Sequence, residues 1–222
     1  MTHLPFAAFV VSAALVVPVV ANVPVVSPER LNDAAEVLTE MTTAGDSGIP
    51  TSLIAKASCV VVVPSLKKVA LGFGGQYGKG YMSCRRAGGW SAPGSLKIEG
   101  GSFGLQIGAS ATDVILLVMN DKGIDRLLSN QFKVGADAAV AAGPLGREAS
   151  AQTDITMRAE MLAWSRSRGV YAGIALQGST IRQDTDENKD LYGREVSNRE
   201  VVTGGIKPPA AATALMRALG KY

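Results

Sequence analysis

Gly100-Gly101-Ser102-Phe103-Gly104 spells G-x-S-x-G, the spacing that exposes a nucleophilic serine on a sharp strand-to-helix turn. Such a serine needs a base, and the single histidine, His3, lies at the start of an apolar N-terminal run. No helical pattern follows Ser102, which instead begins an alternating apolar and small-residue segment. The motif therefore reads as a tight turn entering a strand, and no enzymatic activity is expected. Without imidazole beyond residue 3 the chain also lacks the commonest general base near neutral pH and the commonest nitrogen ligand of metals.

Two further motifs fail on their own chemistry. Gly72-Phe-Gly-Gly-Gln-Tyr-Gly-Lys-Gly80 is glycine-rich, but Tyr77 breaks the G-x-G-x-x-G spacing, and Gly80 stands where a phosphate loop needs Ser or Thr. It reads as a flexible hairpin tip, and no cofactor is expected. Asp184-Thr-Asp186-Glu-Asn188-Lys-Asp190, with Glu195 beyond it, places oxygen donors as a calcium loop does. Lys189 replaces the glycine of the sharp turn, so the segment reads as a solvated acidic loop without a metal.

Charge is distributed unevenly. From Ser47 to Ile98 there is no Asp or Glu, while Lys56, Lys67, Lys68, Lys79, Arg85, Arg86 and Lys97 are all present, so the net +3 divides into +7 here and −4 elsewhere. A total of +3 is too small for bulk electrostatics to recruit nucleic acid. A local cluster of Lys67, Lys68, Lys79, Arg85 and Arg86, with Trp90 and Tyr81 as interfacial aromatics, would suit the headgroups of anionic phospholipid on a membrane surface. The alternative is that these cations scatter over different faces and serve solubility.

The elements that must carry these residues read as α+β. Residues 4–28 hold no charge and are strongly apolar from Phe6, and Val19-Val20-Ala21 offers a cleavage site before Asn22. A signal peptide over 1–21 is expected, and with it a periplasmic or secreted protein; an uncleaved membrane anchor is the alternative reading. One domain follows over 28–220. Ser27-Pro28-Glu29 starts a helix that buries Leu31, Ala34, Ala35, Leu38 and Met41. Strands are expected over 59–63, 69–74, 80–85, 103–109, 114–119, 134–142 and 170–176, with 155–165 fitting strand or helix. Short helices are expected over 51–57 and 121–129, and a last helix opens at Pro208-Pro209 and ends at Gly220. Residues 114–119 are apolar on both faces, as a central strand is. Glycines inside strands point to a strongly bent, barrel-like, mainly antiparallel sheet with closely approaching backbones, flanked by the N- and C-terminal helices. Cys59 and Cys84 permit one disulfide in an oxidising compartment; the other reading is two buried thiols.

Trp90-Ser91-Ala92-Pro93, Gly101-Ser-Phe-Gly-Leu-Gln-Ile-Gly108, Gly143-Pro144-Leu145-Gly146, Tyr171-Ala-Gly173-Ile-Ala-Leu-Gln-Gly178 and Asn188 with Tyr192-Gly193 stand in the order of the landmarks of a SYLF domain. The chain resembles that family over roughly residues 30–220. The resemblance implies a non-catalytic domain: eukaryotic members bind phosphoinositides, some fungal members bind actin filaments, and phospholipid binding is the usual proposal for exported bacterial members. Eukaryotic members also use a basic amphipathic segment at the domain's start. Here that helix carries Glu29, Asp33, Glu36 and Glu40 against Arg30. Lipid binding is therefore carried over to the basic 47–98 segment. Actin binding is not carried over, and a protein partner in the cell envelope is the alternative.

Overall fold

The computed structural model describes residues 28–45, 48–145, 159–167, 170–172 and 176–222, with 70–73, 102–107 and 170–172 described as backbone. The expected signal segment, Ser27, Gly146, residues 155–158 and 173–175 lie outside the described residues.

The frame is a single long ribbon. Strand β1 (Cys59–Arg86) and strand β3 (Gly94–Val118) pair antiparallel from Cys59 opposite Val118 to Met82 opposite Gly94. At about 3.3 Å per residue β1 would extend roughly 90 Å, several times the radius of a domain this size, so the ribbon has to bend. Register shifts fall between Val63 and Leu66 and between Leu71 and Phe73. At the first, Pro64 withholds a ladder donor and Ser65 turns to φ 52°, its N–H donating to Asp113 Oδ1 at 3.0 Å. Bending brings the two ends of β1 together: Arg85 N–H donates to the Ser58 carbonyl at 2.8 Å, and Cys59 and Cys84 form a disulfide.

That approach requires glycine. A Cβ on Gly80 would stand 2.3 Å from the Val62 carbonyl oxygen and 2.8 Å from Val63 Cα, and one on Gly78 would meet Leu66 Cδ1 at 2.8 Å. Gly80→Ala is expected to cost about 2 kcal/mol through overpacking against backbone, read as a melting temperature lowered by roughly 4–8 °C.

Strand β2 (Gly89–Trp90) closes on the end of β1. Strands β4 (Gln131–Lys133), β5 (Val140–Ala142), β6 (Met161–Ser167), β7 (Val170–Ala172) and β8 (Thr180–Gln183) complete one eight-stranded sheet. β6 and β8 both pair with β3, β4 with β8 and β7 with β6, and the β5–β6 pair is parallel. The result is the expected α+β architecture: a strongly curled half-barrel, mainly antiparallel, with helices at both chain ends.

The curl creates two cores. On one face Cys59, Val61, Val63, Met82, Leu96, Ile98, Val114, Leu116, Val118, Phe132 and Ile181 pack together from both halves of the ribbon. On the other, Val60, Val62, Ile115, Leu117 and Trp164 meet Leu31, Leu38 and Met41 of α1 (Pro28–Thr43) and Leu215 and Leu219 of α6 (Thr213–Leu219). Residues 114–118 are buried on both faces because each face has its own core. A short 3-10 turn, Ala210–Ala212, leads into α6, and Gly220 caps it. Helices α2 (Thr51–Lys56) and α3 (Asp121–Leu127) lie where the sequence places them.

Four local expectations are corrected. Residues 72–80 are no hairpin tip, and 69–74 and 80–85 are not separate strands: all belong to β1, and the connection to β3 lies at 87–93. Ser102 stands inside β3 opposite Gly74, so it enters no tight turn. The acidic segment is no solvated loop but helix α4 (Thr185–Tyr192), capped by Asp184 at its start and by Gly193 at φ 68° after its end. Helix α5 (Asn198–Thr203) follows, with Ser197 and Glu200 in a reciprocal capping box. The strand expected over 134–142 is β5 alone, preceded by a single bridge between Val134 and Ala138.

Candidate functional site

Lys67 and Lys68 follow the Pro64–Ser65 bulge on β1 and pair with Ala111 and Ser110 of β3. With Val69, Ala109 and Ser167 these four line a groove of about 720 Å³. Among the described residues the lining contains no carboxylate. Lys67 is exposed and Lys68 half-buried, and neither ammonium has an acidic partner among the described residues. Burial lowers the pKa of Lys68, since no neighbouring carboxylate offsets its lost hydration. Two unpaired cations at the mouth of a groove floored by alanine and valine are chemically suited to an anion with an apolar body.

The other cations of the basic segment are engaged by the fold. Lys79 and Lys97, opposite each other in the ribbon, face the buried Asp184, with Nζ to carboxylate distances of 2.7 and 3.9 Å. Lys79 also reaches Glu187 at 3.3 Å. Glu187 accepts from Arg30 of α1 and from the buried Tyr81 hydroxyl, both at 2.8 Å. Burial alone would raise the Asp184 carboxyl pKa. The Lys79 hydrogen bond and charge, the Glu187 N–H and the Lys97 charge outweigh burial and hold it below the usual carboxylate range. Burial and the Glu187 carboxylate push the Tyr81 phenol up. Tyr81 is thus a core residue and offers nothing to a membrane interface.

Arg85 acts as a clamp on backbone. Its Nε donates to the Ala57 carbonyl at 3.0 Å, and its Nη2 to those of Ile54 and Tyr222 at 3.0 and 2.9 Å. The guanidinium lies 4.4 Å from the centre of the half-buried Trp90 ring. Arg86 is exposed and donates to the Thr203 carbonyl at 3.2 Å. The six sequence candidates therefore do not share one patch. Lys67 and Lys68 line the groove, Lys79 belongs to the Asp184 network, and Arg85, Arg86 and Trp90 form the corner between β1 and β2.

The W-S-x-P and N…Y-G segments turn out to be knots of the fold. Ser91 Oγ accepts from Cys84 N–H at 3.0 Å, and the Tyr192 hydroxyl donates to the Pro93 carbonyl at 2.6 Å. Asn188 Oδ1 accepts from Ser95 N–H at 2.8 Å, and its Nδ2 donates to Asn198 Oδ1 at 2.7 Å. Asn198 in turn donates to the Ser95 carbonyl at 2.9 Å, in space that exists because Gly94 has no Cβ. Among the described residues no group of three or more His, Cys, Asp or Glu side chains is placed to hold a metal. Sequence reading missed the groove's floor, because Ala109, Ser110, Ala111 and Ser167 gain meaning only from their register against Lys67 and Lys68.

Residues 99–222 match the family model described as Ysc84, Las17-binding protein actin regulator. An SH3 domain-containing protein of Schizosaccharomyces pombe is 33% identical over 176 residues, covering 77% of this chain and 40% of that protein. Protein YSC84 of Saccharomyces cerevisiae is 30% identical over 178 residues, covering 78% and 38%. The SH3 domain-containing YSC84-like protein 1 of Xenopus laevis is 30% identical over 197 residues, covering 85% and 58%. The chain thus spans between 38% and 58% of the length of these relatives. With the family match covering more than half of its residues and the landmark segments tying β3 to α4 and α5, the chain belongs to the Ysc84 family of SYLF-type domains.

Proposed function

We propose that this domain is an exported, non-catalytic phospholipid-binding module whose contact with anionic headgroups is made by Lys67 and Lys68. The observation that carries the reading is the groove beside those two lysines: cations with no acidic partner and a lining with no carboxylate among the described residues, and a floor of alanine, serine and valine. Phosphate oxygens would meet the ammonium groups while acyl or glycerol carbon lies against Ala109, Ala111 and Val69. Lys79 ties the ribbon to Asp184 at the head of α4, and Arg85 clamps backbone carbonyls just before β1 and at Tyr222, with Trp90 under the guanidinium; Arg86 adds peripheral charge. Export agrees with the apolar N-terminal run and with a disulfide that suits an oxidising compartment.

Cosedimentation with vesicles of phosphatidylglycerol and phosphatidylcholine tests this reading. The wild type should pellet with anionic vesicles and remain in solution with neutral ones. The charge-reversed variant Lys67→Glu/Lys68→Glu should lose that preference, and a variant that pellets as the wild type does would remove the groove from the account. A second reading, a protein partner, is favoured by the names of relatives, among them LAS seventeen-binding protein 3 of Saccharomyces cerevisiae. A defined protein bound at the groove by a chain with no affinity for any vesicle would establish it instead.

A further inference from the structure

Beyond the groove, the ribbon's bend has the character of a membrane-contacting edge. Strand residues packed on a core alternate between buried and exposed, yet Gly108, Ala109, Ser110 and Ala111 are all exposed in succession, and Lys67 and Val69 opposite them are exposed too. Exposure of consecutive residues means that both faces of the ribbon have left the core. Among the described residues the exposed large hydrophobics are Val69, 52% exposed and on this stretch of β1, and Tyr77, 46% exposed and just beyond it, opposite Glu99. Residues 69–76 and 100–109, which pair across the bend, contain no Asp, Glu, Lys or Arg. At the chain's average of 18% charged residues, about three would be expected among those 18 positions. A long, uncharged, two-sided ribbon with open edges is an aggregation hazard that soluble proteins normally blunt with charge.

We infer that the bend of the β1–β3 ribbon enters the interfacial layer of an anionic bilayer, with Val69 below the phosphates and Lys67, Lys68 and Tyr77 at their level. The inference rests on the lipid-binding reading and deepens it from surface adsorption to shallow insertion. The lysines at the root of the bend supply charge complementarity to anionic headgroups, and a tyrosine suits the interface because its ring is apolar and its hydroxyl is wet. Depth is limited by the backbone. Among the described pairings, β3 between Gly100 and Thr112 pairs only with β1, and hydrocarbon would not tolerate polar backbone groups left unpaired along its outer edge. The ribbon therefore stops within the headgroup region.

The test places an environment-sensitive fluorophore on Val69→Cys, the native cysteines being bonded to each other. A control label goes on Thr203→Cys, an exposed position on α5. With phosphatidylglycerol-containing vesicles, the Val69 probe should shift to the blue and be quenched more by headgroup-level than by deep acyl-chain spin labels, while the Thr203 probe stays unchanged. In parallel, unlabelled Val69→Ser/Tyr77→Ser, folded by circular dichroism, should bind the same vesicles about tenfold more weakly with an unaltered salt dependence. Vesicle binding without any change at the Val69 probe would overturn insertion and leave electrostatic adsorption standing. No vesicle binding at all would remove the lipid reading and this inference together. A spectral shift that grows with protein concentration in the absence of lipid would assign the ribbon to a second copy of the chain.

Discussion

Lys67→Glu/Lys68→Glu should bind vesicles rich in anionic lipid about a thousandfold more weakly than the wild type at low ionic strength. Each basic residue near such a surface contributes roughly 1 kcal/mol, and reversal replaces attraction with comparable repulsion. Two reversals therefore amount to about 4 kcal/mol, close to three decades in affinity. The difference should narrow steeply as salt rises, because the screening length falls from about 10 Å at 0.1 M to about 3 Å at 1 M. Lys56→Glu, reversing an exposed lysine at the end of α2, makes the informative control. It changes net charge by the same amount per site but lies outside the groove. An equal loss per charge in the control would mean that net charge, not position, governs binding.

The second large effect concerns stability. Asp184→Asn preserves the shape of the cap on α4 but removes the charge that faces Lys79 at 2.7 Å and Lys97 at 3.9 Å. Breaking a buried pair from one side leaves uncompensated charge, which costs on the order of 3–5 kcal/mol and corresponds to roughly 10 °C in melting temperature for a chain of this length. Lys79→Met in the same background should cost much less than it does alone, because its buried partner is already neutral; a double-mutant cycle in urea measures the coupling. The pH dependence has a definite sign. The folded-state pKa of Asp184 is depressed, so its contribution is fully present above the unfolded value of about 4 and disappears as pH falls through the folded value. The wild type should accordingly lose stability more steeply than Asp184→Asn on acidification below about pH 4. Parallel acid limbs in the two proteins would show that the carboxylate carries no net stabilisation.

Much of this fold is legible along the chain because it depends on local periodicity. Helix α1 buries Leu31, Ala34, Leu38 and Met41, the residues its 3.6-residue spacing aligns, and 114–118 are apolar on both faces because a core covers each. The ordered landmark segments point to the family, and the comparison with known proteins agrees. Their role was not legible: Asn188 and Tyr192 tie α4 to Ser95 and Pro93 at the start of β3 through hydrogen bonds spanning as many as 99 positions, and Ser91 ties the preceding turn to Cys84 of β1.

The glycines show where local reading fails. Gly72 to Gly80 have turn composition, and in a short strand they would end it. Here Gly78 and Gly80 lie inside a 28-residue strand because another part of the same strand passes against them. The acidic run likewise reads as a loop until Lys79, more than a hundred positions away, neutralises Asp184 and lets it cap a helix. By itself the sequence determined helix α1, the doubly buried strand at 114–118, the uneven charge and the lack of imidazole beyond residue 3, since each is a property of neighbouring residues or of composition. Only the tertiary structure decided which cations are free, because a lysine's partner is set by how the ribbon folds back: Lys79 meets Asp184, while Lys67 and Lys68 meet alanine and serine.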